Sequence, residues 1–123
     1  PQGFLGDTKG DRLISNMSPL IIETNEGIST IGSPGADRIS SAIAQVLINY
    51  TKCRNWQKAI DAPRFHVNGD GSVRAEPGSL ETDKNTTITE EYDMYFGGVC
   101  VSGLDHNIFS YGDKRRGNTS WEN

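Results

Sequence analysis

Apolar and polar positions follow two different periods along this chain, and the changes of period divide it into elements. Leu20-Ile21-Ile22-Glu23 is a short apolar run, Asn25-Glu26-Gly27 supplies a turn in which Gly27 can take a positive φ, and Ile28-Ser29-Thr30-Ile31 returns. Together they predict a β-hairpin. Gly32-Ser33-Pro34-Gly35-Ala36-Asp37 then breaks the strand. Beyond it Ile39, Ala42, Ile43, Val46, Leu47 and Tyr50 recur at helical spacing in one continuous stripe, with Arg38, Ser41, Gln45 and Asn49 on other faces. A helix with a single apolar stripe covers a sheet or another helix.

A shorter helix is predicted from Asn55 or Trp56 to Ala62, with Trp56, Ala59 and Ile60 as its apolar side and Pro63 as its stop. Arg64-Phe65-His66-Val67 reads as extended, Asn68-Gly69-Asp70-Gly71 as a turn, and Val73-Arg74-Ala75-Glu76 as a brief strand. Residues 79–93 are polar, rich in Thr and Glu, and carry no dependable period. Val99-Cys100-Val101-Ser102 and Ile108-Phe109-Ser110-Tyr111 form the last pair of strands, and residues 1–12 read as irregular surface chain. Hairpins in place of βαβ crossovers imply an α+β fold, an antiparallel sheet with helices on one face, within a single segment covering 1–123.

The totals narrow the class of function. The chain has 123 residues, 34% hydrophobic and 23% charged, with a formal charge of −4, and is neither collagen-like nor of disordered composition. No basic patch tracks a phosphate backbone, so nucleic acid is not an expected partner. The dense run Lys114-Arg115-Arg116 reads as a solvated strand exit. No stretch approaches the roughly 18 apolar residues of a membrane span. The start at Pro1, without an initiator Met, leads us to expect a larger precursor. Cys53 and Cys100 are too few and too separated for a metal site or a redox pair; they either form one disulfide or stay as buried thiols. No cofactor is implied.

Candidate chemistry concentrates in two places. Gly32-Ser33-Pro34-Gly35-Ala36-Asp37-Arg38 leaves a strand and opens a helix, where unpaired N–H groups and the peptide dipoles favour negative charge. A glycine turn there aims N–H groups at an anion or a developing oxyanion, or else it is a plain connection capped by Asp37 or Ser33. Arg38 either extends that anion site or flanks the helix at its solvent edge. Ser15-Asn16-Met17-Ser18-Pro19, just before the first strand, offers hydroxyls and a carboxamide to a carboxylate, or to the backbone of a turn. His66 and His106 have no metal-like neighbours, and the carboxylates form no acid/base pair.

Three ordered stretches, Ile14-Ser15-Asn16-Met17-Ser18-Pro19, Gly32-Ser33-Pro34-Gly35-Ala36-Asp37-Arg38 and Asp61-Ala62-Pro63-Arg64-Phe65-His66, resemble landmarks of the γ-glutamyltransferase family. Arg74-Ala75-Glu76-Pro77-Gly78 resembles the stretch after the third, and Asp113-Lys114-Arg115 resembles the family's terminal Asp-Pro-Arg. The resemblance implies part of an αββα N-terminal-nucleophile hydrolase, cut from a precursor, whose N-terminal Thr attacks a γ-glutamyl carbonyl and passes the acyl group to water or an amine. It implies that Gly35 and Ala36 occupy the oxyanion-hole pair and that Ser15 and Asn16 occupy the pair holding the donor's α-carboxylate. Asn16 stands where the family has Ser. Ala36 stands where it has Gly, which keeps the N–H but denies easy access to positive φ. These departures suit a donor other than glutathione, with poly-γ-glutamate favoured and Arg38 binding one of its carboxylates. Ordinary γ-glutamyl peptides are the alternative donors, and a non-catalytic binding or structural module is the alternative of another class. The resemblance further implies a remaining small-subunit part carrying the Thr, a large subunit, an exported or envelope-associated product, and no activity in 1–123 alone.

Overall fold

The computed structural model describes residues 15–79, 84–117 and 120–122; the surface chain expected at 1–12 lies outside them. The hairpin forms as predicted. β1 (Leu20–Thr24) and β2 (Gly27–Gly32) pair antiparallel, with Leu20 opposite Ile31 and Thr24 opposite Gly27. α1 (Ile39–Cys53) follows through a short 3-10 turn at Ala36–Arg38, and α2 (Trp56–Asp61) follows α1. The Asn55 side chain caps α2 by accepting the Lys58 N–H at 2.8 Å. Pro63 lies two residues beyond the end of that helix.

The remaining strands are β3 (Phe65–Val67), β4 (Val73–Ala75), β5 (Thr86–Ile88), β6 (Cys100–Leu104), β7 (Ile108–Tyr111) and β8 (Trp121–Glu122). They build two sheets. The larger is antiparallel in the order β1-β2-β6-β7-β8. Its register sets Ile31, Val101 and Phe109 on one face, where they pack with Ile39, Ala42, Ile43 and Val46 of α1 and with Trp56, Ala59 and Ile60 of α2. Tyr50 stacks on Trp56 with ring centroids 3.6 Å apart, joining the two helices at their connection. The expected layering of helices on one face of an antiparallel sheet therefore holds for this sheet.

The smaller sheet departs from it. β3 and β4 are antiparallel, but β4 and β5 run parallel, with Val73 opposite Thr86 and Ala75 opposite Ile88. β5 arises inside the stretch without a period, because Thr86-Thr87-Ile88 gains its strand geometry from a neighbour and not from its own alternation. Cys53 and Cys100 are both exposed, with no disulfide between them, which corrects both alternatives for these thiols. Among the described residues no helix is long and apolar enough to cross a membrane.

Among the described residues nothing covers the other face of the large sheet. By the same register it carries Ile21, Ile28, Leu104, Ile108 and Trp121, each between 46% and 73% exposed. Five large apolar side chains on one open sheet face form a patch of the kind that marks an interaction surface.

Candidate functional site

The turn after β2 is shaped by two pinned peptide planes. Gly35 has φ 136° and Ala36 has φ 54°, so an alanine occupies the left-handed region. The sequence denies Ala36 easy access to positive φ, and the conformation costs an L-residue roughly 1–2 kcal/mol. The surroundings impose it. The Gly35 carbonyl accepts the Arg38 N–H at 3.0 Å, and the Ala36 carbonyl accepts the Ile39 N–H as α1 begins. In a trans peptide the N–H points opposite to the C=O. With the Gly35 carbonyl turned into the helix start, the Ala36 N–H is turned away from it. Among the described residues neither the Gly35 nor the Ala36 N–H donates a hydrogen bond. Ala36 is exposed and Gly35 half-buried.

Behind this turn lies the segment 97–98. A Cβ on Gly35 would stand 3.3 Å from the Gly97 Cα, and a Cβ on Gly97 would stand 2.7 Å from the Ser33 Oγ and 3.0 Å from the Pro34 oxygen. Glycine at both positions is what permits the two backbones to touch. The Ser33 hydroxyl donates to the Pro34 carbonyl at 2.8 Å and accepts the Gly98 N–H at 3.2 Å.

Arg38 is held at the turn's outer side. Its Nε donates to the Tyr95 carbonyl at 3.0 Å, its Nη1 pairs with Asp37, and its Cζ lies 4.5 Å from the Tyr95 ring centroid. Arg74 also lies over that ring, at 4.1 Å. Beneath, the Ser41 Oγ donates to the Arg38 carbonyl at 3.0 Å and lies 2.9 Å from the His66 Nδ1. Burial pushes the His66 imidazole below its ordinary value; Asp37 acts against this shift and Arg38 adds to it.

Ser15 and Asn16 sit in a local turn before β1. The Ser15 Oγ accepts the Met17 N–H at 3.2 Å, and the Ser18 hydroxyl donates to the Asn16 carbonyl at 3.0 Å. Because Leu20 pairs with Ile31, this segment enters the sheet at the end where Gly32 leaves it. The hairpin thus brings the two sequence motifs to one edge of the molecule. A groove of about 470 Å³ runs along that edge, lined by Pro19, Leu20, Ile21, Thr30, Ile31, Gly32, Cys100 and Ser102; Gly35 and Ala36 lie beyond its lining.

A second polar constellation escaped the residue-by-residue reading. Arg64, Glu76, Asp113 and Arg115 are each at most 6% exposed, so the basic run at 114–116 is not uniformly solvated: Arg115 points inward, while Lys114 and Arg116 are exposed. Asp113 Oδ2 pairs with Arg64 Nη1 at 2.7 Å and accepts the Val99 N–H at 2.9 Å; Oδ1 accepts from Arg115 Nη1 at 3.1 Å. Glu76 Oε1 accepts from Arg115 Nε at 2.7 Å and from the Asp93 N–H at 3.2 Å. The guanidinium groups also donate to the carbonyls of Ile60, Ala62 and Phe96. Burial lowers the pKa of Arg64 against the pull of Asp113; burial is also the largest single influence on Arg115, but the hydrogen bonds and charges of Glu76 and Asp113 together outweigh it and raise the value. A signal for this cluster was present, since all four residues fall within the stretches Asp61–His66, Arg74–Gly78 and Asp113–Arg115 that carry the family resemblance. Among the described residues no group of His, Cys, Asp and Glu could hold a metal ion.

The Gamma-glutamyltranspeptidase family model matches residues 8–116. A curated relative, the glutathione hydrolase proenzyme of Pseudomonas sp. (strain A14), is 42% identical over 93 residues, covering 72% of this chain but only 16% of its own length. The transpeptidase CapD of Bacillus anthracis shares the fold with a TM-score of 0.78 at 24% identity, over 97% of this chain and 77% of that one. A mutant gamma-glutamyltranspeptidase of Pseudomonas nitroreducens gives 0.70 at 24% identity, over 91% of this chain and 63% of that one. Cephalosporin acylase of Bacillus halodurans shares the fold more distantly, with a TM-score of 0.57 at 20% identity over 76% of this chain and 19% of that one. The order of the motifs, the mixed α+β architecture and the family match converge, and the chain belongs to the gamma-glutamyltranspeptidase family.

Proposed function

We propose that this chain is the C-terminal part of the small subunit of an enzyme that cleaves or transfers γ-glutamyl groups, supplying the oxyanion site and donor-binding groups but not the nucleophile. The observation that carries this reading is the pair of N–H groups at Gly35 and Ala36, which among the described residues make no hydrogen bonds, in a turn whose carbonyls are bonded. A Thr at the N-terminus of the remaining small-subunit part attacks the γ-carbonyl, its hydroxyl proton passing to its own α-amine. The two N–H groups meet the oxygen that gains charge. The amine leaving group takes the proton, and water or an amine acceptor then resolves the acyl-enzyme. Ser15 and Asn16 hold the donor's α-carboxylate. The open sheet face of Ile21, Ile28, Leu104, Ile108 and Trp121 packs against the rest of the assembly, including a large subunit from the same precursor. Alone, 1–123 is inactive. The product works outside the cytoplasm, in the periplasm, at the cell envelope or in the medium.

Poly-γ-glutamate is the preferred donor in this reading. It is supported by the guanidinium groups of Arg38 and Arg74 gathered over Tyr95, next to the turn, where a polymer presents further carboxylates. The ion pair of Arg38 with Asp37 favours the second reading, ordinary γ-glutamyl peptides, because it already satisfies part of that positive charge. Incubating the full assembly with γ-glutamyl-p-nitroanilide and with poly-γ-glutamate tests both. Release of p-nitroaniline or shortened polymer, with a γ-glutamyl mass added on the N-terminal Thr, supports the proposal. No turnover of either donor contradicts it and favours a binding or structural role.

A further inference from the structure

Resting on the oxyanion reading above, we propose that Ser33 is a positioning residue that locks the Pro34–Gly35 peptide so that its N–H faces the reacting carbonyl. The argument begins with the peptide plane. No cis peptide bond occurs among the described residues, so the Gly35 N–H points opposite to the Pro34 carbonyl. That carbonyl is fixed by the Ser33 hydroxyl at 2.8 Å and faces the Gly97 side, where a Cβ would come within 3.0 Å of it. The Gly35 N–H is thereby directed away from the segment behind the turn.

This lock differs from the one on the next peptide. The Gly35 carbonyl is held by the Arg38 N–H, a backbone contact that no substitution except proline removes. Among the described residues the Pro34 carbonyl depends on a single side-chain hydroxyl. Glycine at 35 gives the chain little resistance to a peptide flip, because both signs of φ are open to it. A flip would exchange the N–H for a carbonyl oxygen at the site, replacing a favourable dipole with a repulsive one.

The Ser33 hydroxyl is itself anchored. It accepts the Gly98 N–H at 3.2 Å. The segment carrying Gly98 is fixed on both sides by the buried charges: Arg64 Nη1 donates to the Phe96 carbonyl at 3.2 Å, and Asp113 Oδ2 accepts the Val99 N–H at 2.9 Å. One continuous set of contacts therefore runs from Asp113 and Arg64 through Gly97–Gly98 to Ser33 and the Gly35 amide. Ser33 links the rigid interior to the strained turn.

The test compares Ser33→Ala and Ser33→Thr in the full assembly, with active sites counted by the acyl-enzyme burst. Removal of one oxyanion donor lowers kcat by about 100- to 1000-fold. A flip populated part of the time sets a smaller loss. Ser33→Ala is expected to lower kcat at least about tenfold with the donor's KM within about twofold, and Ser33→Thr, which keeps the hydroxyl, to recover most of it. A loss of folded protein with unchanged kcat per active site would overturn the proposal. A crystal structure of Ser33→Ala gives a second readout independent of turnover. A reversed Pro34 carbonyl supports the lock, and a carbonyl in its present orientation overturns it. Should the wild-type assembly turn over neither donor, the γ-glutamyl reading fails while the carbonyl orientation still decides the lock.

Discussion

The buried charges and the turn at Gly35–Ala36 lie at the two ends of one contact path, yet they differ in how polar groups are met, although the buried Arg64 Nε also has no hydrogen bond among the described residues. Around Asp113 and Glu76 each carboxylate oxygen meets a guanidinium or backbone N–H, and the four charges sum to zero inside the fold. At the turn, two backbone donors meet nothing among the described residues, and an alanine is held at positive φ. The first arrangement gives a unique geometry, since moving one member strands another in a medium that solvates charge poorly. In the function proposed above, the second keeps donors available for a charge that exists only during reaction. Rigidity in one place is what allows an unsatisfied, strained backbone in the other.

The largest expected effect breaks the rigid end. Asp113→Ala leaves Arg64 and Arg115 short of a counter-charge and should cost about 3–5 kcal/mol, measured by denaturant unfolding of the intact assembly. A cost below about 1 kcal/mol would mean that the cluster has relaxed around water and does not anchor the segment at 96–99. On the open sheet face, Ile108→Asn buries a carboxamide if the rest of the assembly covers that face, and should weaken subunit association by about 1–3 kcal/mol, read from sedimentation. Unchanged association would leave the face solvent-exposed in the native protein.

Smaller effects sharpen the strained end. Ala36→Gly keeps the N–H and removes the Cβ from a left-handed position, so stability should rise by about 0.5–1 kcal/mol with kcat changed less than a few-fold. A loss of stability would show that the Cβ packs usefully. The smallest is a pH effect. His66 is held below its ordinary value by burial, so the unfolded chain takes up the proton first on acidification. Its contribution is complete above about pH 6.5 and is lost as pH falls through the lower folded value. Unfolding free energy measured from pH 7.5 to 5 should therefore decline less steeply in His66→Gln than in the parent.

Elements whose period lies within one segment were legible in the sequence. The stripe from Ile39 to Tyr50 marks the side of α1 that enters the core, and the hairpin at 20–31 forms with its strands and turn where the sequence puts them. What depends on distant partners was not. Thr86-Thr87-Ile88 becomes a strand only because β4 accepts it in parallel, and Arg115 looks like its solvated neighbours until Glu76 and Asp113 arrive from elsewhere in the chain. The turn at Gly35–Ala36 was legible as a place where N–H groups gather, because a strand ended in glycine just before a helix. The left-handed Ala36 was not, since propensity argues against it and only its surroundings impose it. For Arg38 the sequence left a choice between anion binding and a solvent edge, and the structure gives it Asp37, the Tyr95 carbonyl and the Tyr95 ring as partners.

One measurement decides the matter most directly: the crystal structure of the full assembly inhibited by a boronic acid analogue of a γ-glutamyl donor, whose tetrahedral boronate copies the charged intermediate. The nitrogens of Gly35 and Ala36 should each stand about 2.7–3.1 Å from one boronate oxygen. A boronate bound on the nucleophile with that oxygen held by other donors, and both amides beyond hydrogen-bond reach, would contradict the account.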